Sequence, residues 1–107
     1  MKWLLAVLLF CLAPVAGAAP VTVTSGEHEG FTRLVFDYGT PVDWRFGRTD
    51  DGYELALGET SPAYDLRGVF RLIGRSRLAA IWADPGSGNL RIGIACACHA
   101  IPFEFRP

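Results

Sequence analysis

Between Val42 and Leu57 the chain alternates apolar and polar residues around a tight turn, and this pattern constrains its fold more than any other feature. Val42, Trp44 and Phe46 are interleaved with Asp43 and Arg45. Asp50-Asp51-Gly52 is a strong turn signal, and Tyr53, Leu55 and Leu57 then alternate with Glu54 and Ala56. A period of two sends successive side chains to opposite faces, so each run reads as a half-buried strand and the pair as a β-hairpin.

The same grammar recurs along the chain. Val21 to Ser25 is a β-rich run, and Gly26 to Gly30 reads as a glycine-bounded loop. Phe31 to Tyr38 follows as a strand, with Leu34, Phe36 and Tyr38 on one face and Arg33, Val35 and Asp37 on the other. Arg77 to Ala83 reads as a further strand, and Asp84-Pro-Gly-Ser-Gly-Asn89 as a turn. Beyond it Leu90, Ile92, Ile94, Cys96 and Cys98 point one way, while Arg91, Gly93, Ala95 and Ala97 point the other. Phe103 to Arg106 begins another strand. The period changes only at Asp65 to Gly74, where Leu66, Val69, Phe70 and Ile73 fall at helical spacing. Asp65 is placed to cap that segment and Gly74 to end it. The predicted class is therefore mainly β: a small antiparallel β-sandwich or open barrel with one short helix. The last run has no closing turn. This leads to the expectation that the chain is the N-terminal module of a longer protein, or a truncated product.

The N-terminus carries an address. Lys2 precedes an apolar run from Trp3 to Leu12, and small residues follow up to Ala19. That is the order of a secretory signal peptide. The run is shorter than the roughly 20 residues a membrane-spanning helix needs. Ala16-x-Ala18 fits the cleavage rule, so residues 1–18 are expected to be removed and 19–107 to form one small β-rich domain in the periplasm or outside the cell. Contact with a membrane would then be limited to the transient signal. Lys2 is the only lysine, leaving nine arginines against eleven acidic residues beyond it. A balance of that sign excludes a basic nucleic-acid-binding surface.

Chemistry-bearing residues are few. Cys96, Cys98 and His99 offer thiolate and imidazole, the ligand types of zinc sites, but a closed site takes four ligands and His28 is the only other histidine. The spacing is one residue short of a haem-attachment or thioredoxin-type motif. A bridge between positions two apart is geometrically disfavoured. In register with Ile94, the two cysteines are expected to be small buried hydrophobes, structural rather than catalytic. Glu27-His28-Glu29 reads as solvated polar residues in a loop. Arg67, Arg71 and Arg75 recur every four residues, and on a helix they would form a basic stripe able to grip carboxylates or phosphates. Trp44, Phe46, Tyr53 and Trp82 are expected in the core first. An indole standing beside an arginine outside the core, Trp44 being one candidate, would instead mark a sugar-stacking platform. Ser25, Ser61, Ser76 and Ser87 each read as turn or cap residues, and no nucleophile elbow or phosphate loop is present in the sequence. These features point away from an enzyme and imply no cofactor.

One segment resembles a known family. Gly30-Phe-Thr32-Arg33-Leu-Val35-Phe-Asp37 is similar to the repeating strand element of the AMIN domain of bacterial envelope proteins, and the Trp44–Leu57 hairpin suits that family too. The resemblance covers about residues 21–58. It implies a small periplasmic β-sandwich, itself non-catalytic, that binds peptidoglycan or positions a protein partner at the cell wall. The expected function is thus an exported envelope-docking domain. The alternative is a small exported redox or metal-handling protein that uses Cys96, Cys98 and His99.

Overall fold

The computed structural model describes residues 19–58 and 60–105. The expected processing site after Ala18 and its leader lie outside the described residues, as does Arg106. Among the described residues seven strands are formed: β1 (Val21–His28), β2 (Phe31–Phe36), β3 (Trp44–Arg48), β4 (Gly52–Leu57), β5 (Tyr64–Asp65), β6 (Leu78–Ala83) and β7 (Leu90–Ile94). They make two sheets, one of order β2-β1-β5 and one of order β3-β4-β7-β6. The fold is mainly β and sandwich-like, and neither sheet closes into a barrel.

The first two hairpins follow their turn residues. β1 and β2 pair antiparallel up to His28 opposite Phe31, so the expected loop shrinks to Glu29-Gly30. Gly30 sits at φ 86°, a conformation open to a residue without a Cβ. Glu27 and His28 thereby become strand residues rather than loop residues. In the second hairpin Arg48 lies opposite Tyr53 and Trp44 opposite Leu57. Gly52 has a steric reason of its own: a Cβ there would collide with the carbonyl oxygen of Ile92 on β7. One pairing departs from the antiparallel expectation. Val21 and Thr22 run parallel to Tyr64 and Asp65.

The inner faces meet in one core. Val23, Leu34 and Phe36 come from the three-stranded sheet, and Phe46, Tyr53, Leu78, Ile81 and Ile92 from the four-stranded sheet. Between them lies the segment expected to be a helix. It forms only a single 3₁₀ turn, Val69–Arg71. Gly68 costs helix propensity of about 1 kcal/mol relative to Ala, and a helix this short cannot offset its nucleation cost. Tyr64 and Asp65 are also taken by β5. The apolar residues still reach the core: Leu66, Val69, Phe70 and Ile73 all join it, with Val69 fully buried. Ser25 donates its hydroxyl to the Val69 carbonyl, which fixes the plug against β1.

The expected last strand does not form. Residues 101–105 pair with no strand, and Ile101, Phe103 and Phe105 are exposed. Pro102 lacks the N–H a ladder needs. The segment is held instead at single points, where Ala100 N–H donates to the Tyr53 hydroxyl at 3.1 Å and Trp44 Nε1 donates to Glu104 at 3.1 Å.

Candidate docking face and cysteine loop

The helix that would align Arg67, Arg71 and Arg75 does not form. Arg67 is clamped on Asp65 through Nε–Oδ1 at 3.0 Å and Nη2–Oδ2 at 2.9 Å. These bonds hold the Asp65 carboxyl down at about 2. Arg75 lies over the Phe70 ring, 3.7 Å from its centroid, and donates to the Ala79 carbonyl at 2.7 Å. Arg71 is exposed and makes no hydrogen bond or ion pair among the described residues, and its charge also helps to hold the Asp65 carboxyl down.

The aromatic residues divide. Phe46 and Tyr53 stack in the core with centroids 4.9 Å apart. Trp44 is half-buried at the end of β3, beside the 101–105 segment and outside the core cluster. Trp82 departs furthest from the expected core position. Ile81 and Ile92 are register partners on the inner face, so Trp82 and its partner Arg91 lie on the outer one. The indole sits against Gly93, with Cζ3 3.5 Å from where a Cβ would stand. The Arg91 guanidinium carbon is 5.8 Å from the ring centroid.

Register extends this pair into a line across the sheet. Arg91 lies opposite Glu54, and Glu54 opposite Gly47. Asn89 Nδ2 reaches Glu54 Oε2 at 3.5 Å, and Arg91 Nη2 reaches Asp51 Oδ1 at 3.5 Å. The Arg91 Nε is buried and finds no partner among the described residues. The adjoining line is small, with Gly52 opposite Gly93 and Gly93 opposite Ala80. An indole, an incompletely satisfied guanidinium, a carboxylate and an amide therefore share one face of the sheet. That set can stack an apolar ring face and bond the hydroxyls or carboxylates around it. Part of this was legible, since the alternation of Leu90 to Ile94 already turns Arg91 outward. Trp82, expected in the core first, lies on the outer face; Ala-rich neighbours hide the parity of β6, and a register shift falls between Leu78 and Ala80.

Other sequence-level candidates take structural roles. Glu27 receives Arg77 Nη1 at 2.7 Å and also the Thr32 hydroxyl. The Thr32 bond, followed by the Arg77 charge, lowers its carboxyl pKa. This network ties the β1–β2 hairpin to the residue just before β6. A depression of about 500 Å³ is lined by residues such as Val21, Tyr38, Val42 and Leu57. Tyr38 shares a 2.9 Å hydroxyl contact with Tyr64, and burial pushes both phenols up.

Cys96 and Cys98 depart from their expected place. β7 ends at Ile94, so they do not continue its inner face, and both are half-buried rather than core residues. They are joined in a disulfide, with Cα atoms 5.1 Å apart. That distance lies within the ordinary range for bridged cysteines, because the chain bends at residues 95–97. His99 is exposed and makes no hydrogen bond or ion pair among the described residues. Among those residues no three His, Cys, Asp or Glu side chains converge in a way that could hold a metal ion. No helix among them is long and apolar enough to cross a membrane.

No family model, no curated protein and no solved structure matches this chain.

Proposed function

We propose that the chain is an exported, non-catalytic β-domain that docks on the cell-wall polymer through the outer face of its four-stranded sheet. The observation that carries this reading is the placement of Trp82 and Arg91 on the side of the sheet away from the core. An indole against bare backbone gives a sugar ring a stacking surface. The neighbouring Arg91, Glu54 and Asn89 offer donors and acceptors to its substituents, and Arg91 meets the carboxylates of wall peptides. The signal-like order of residues 1–19 and the AMIN-like element from Gly30 to Asp37 support the same compartment and the same ligand class.

Sedimentation with purified peptidoglycan tests the proposal. The intact chain is expected to co-sediment, less so as salt rises. Trp82→Ala is expected to weaken binding by about tenfold or more, in the range of a well-placed aromatic anchor. Arg91→Ala is expected to weaken it while flattening the salt dependence. Equal co-sedimentation of all three proteins would remove this face from the interface. Absence of wall binding together with specific capture of an envelope protein would replace the polymer by a protein partner.

A further inference from the structure

We propose that the Cys96–Cys98 disulfide is a thiol–disulfide exchange site that accepts electrons from cysteine pairs of other exported polypeptides. This activity is separate from wall docking and uses none of the residues of the docking face.

Three observations carry it. The bridge spans a sequence separation of two. A disulfide constrains the unfolded chain less as its loop shortens, so this one is nearly the weakest staple a fold can use. Stability alone does not account for it. Next, the bridge lies outside the core. β7 ends at Ile94, both cysteines are half-buried, and the side chains beside them, Ala95 and Ala97, are exposed methyl groups. The residues on either side of Cys96 carry only methyl groups and both cysteines are partly exposed, and bridges open to solvent are the exchangeable kind. Finally, the loop is pinned on both sides by bonds that do not involve sulfur. Ala95 N–H donates to the Arg77 carbonyl at 2.8 Å, and Ala100 N–H donates to the Tyr53 hydroxyl at 3.1 Å. Opening the bridge leaves both anchors in place. The two thiols stay close, and the ring can close again.

The chemistry balances as an exchange. A substrate thiolate attacks one sulfur of the bridge. The S–S bond breaks, a mixed disulfide forms, and the released sulfur takes up a proton. The second substrate thiolate then attacks the mixed disulfide. The substrate leaves as a disulfide, and the chain keeps both cysteines as thiols. Two electrons have passed from the substrate to the chain. A second disulfide, of protein or glutathione type, returns the bridge to its oxidised form by the same steps in reverse.

The test uses the exported chain without denaturant. It is equilibrated in glutathione buffers of rising reduced fraction, alkylated and weighed. The expected result is a smooth passage from the unlabelled to the doubly labelled chain while the circular dichroism of the fold is retained. Mixed with a reduced two-cysteine peptide, the oxidised chain is expected to accelerate peptide oxidation at least about tenfold, one peptide per chain. Cys98→Ser, left with a lone Cys96 thiol, is expected to displace one glutathione from glutathione disulfide and stay as the mixed disulfide while oxidising no dithiol peptide, and Trp82→Ala to exchange like the parent. A bridge that resists reduced glutathione until the fold is melted would overturn the proposal. So would free, unreactive thiols in the exported protein, or a reducible bridge that leaves the peptide dithiol untouched.

Discussion

The outer face of the four-stranded sheet and the cysteine loop are neighbours in the chain, yet they are held in different ways. Arg91 is inside β7, with a strand on either side, so its spacing to Glu54 and Trp82 is set by two ladders. The cysteines begin two residues after β7 ends, between one backbone bond at Ala95 and one side-chain bond at Ala100. Altering the first arrangement means breaking sheet pairing. Altering the second means opening a local loop whose anchors survive. A rigid element suits recognition of a ligand by fixed geometry, whereas a pinned loop suits a covalent change that must reverse. The fold keeps these two properties apart over a few residues.

The largest expected effect attacks the rigid half. Leu90 has no exposed surface and faces Leu55 and Ala83 across the two ladders. Leu90→Ala is expected to cost about 3 kcal/mol, within the range for a fully buried leucine. A denaturant titration reads this as a lower midpoint with an unchanged slope. For a domain this small that is a large share of its stability, and wall binding is expected to fall with the folded fraction. Binding that persists after the midpoint has collapsed would show that the docking residues need no sheet to hold them.

A smaller effect separates the two regions. Replacing Cys96 and Cys98 together by Ala removes a bridge that spans two positions. The chain-entropy account gives such a bridge only about 1.5 kcal/mol. Wall binding is expected to equal that of the parent, while exchange with a peptide dithiol is abolished. A loss of several kcal/mol would make the bridge a structural staple and would join the loop to the rigid half of the comparison.

What the sequence disclosed follows from which forces act locally. The Val42–Leu57 hairpin was legible because its alternation, its Asp50-Asp51-Gly52 turn and its final packing all agree. The 65–74 segment was misread for an instructive reason. Leu66, Val69, Phe70 and Ile73 do have one apolar side, but they spend it filling the gap between two sheets, and Gly68 leaves no propensity to hold a helix around them. The cysteines were misplaced because parity was extended past the end of the ladder at Ile94, where the chain bends. The outer face was half legible. Arg91 could be turned outward by counting, but its proximity to Trp82 depends on the pairing of β6 with β7, which no local pattern encodes. The Glu27–Arg77 pair was hidden by a separation of 50 residues.

The smallest expected effect lies away from both regions, at the Arg67–Asp65 pair. Arg67 is largely exposed and Asp65 less so, so their ion pair is screened by water. Arg67→Ala with Arg71→Ala is expected to leave the denaturation midpoint nearly unchanged at neutral pH and wall binding unaltered. Acid sharpens the measurement. Asp65 is held at about 2 in the folded chain, first by the Arg67 side-chain bonds and then by the Arg67 backbone N–H. A carboxyl whose folded value is depressed contributes stability above its unfolded pKa, near 3.9, and loses it as pH falls toward the folded value. The parent is therefore expected to lose urea resistance on going from about pH 4 to about pH 2. Glu27 and Asp84, both also lowered, add to the same acid limb. In the double variant Asp65 keeps less of its depression, so its share of that limb shrinks and the two midpoint-against-pH curves converge at low pH. Parallel curves would show that Arg67 does not set the Asp65 titration. Lost wall binding in this variant would return the basic residues to the interface and weaken the assignment of the outer face.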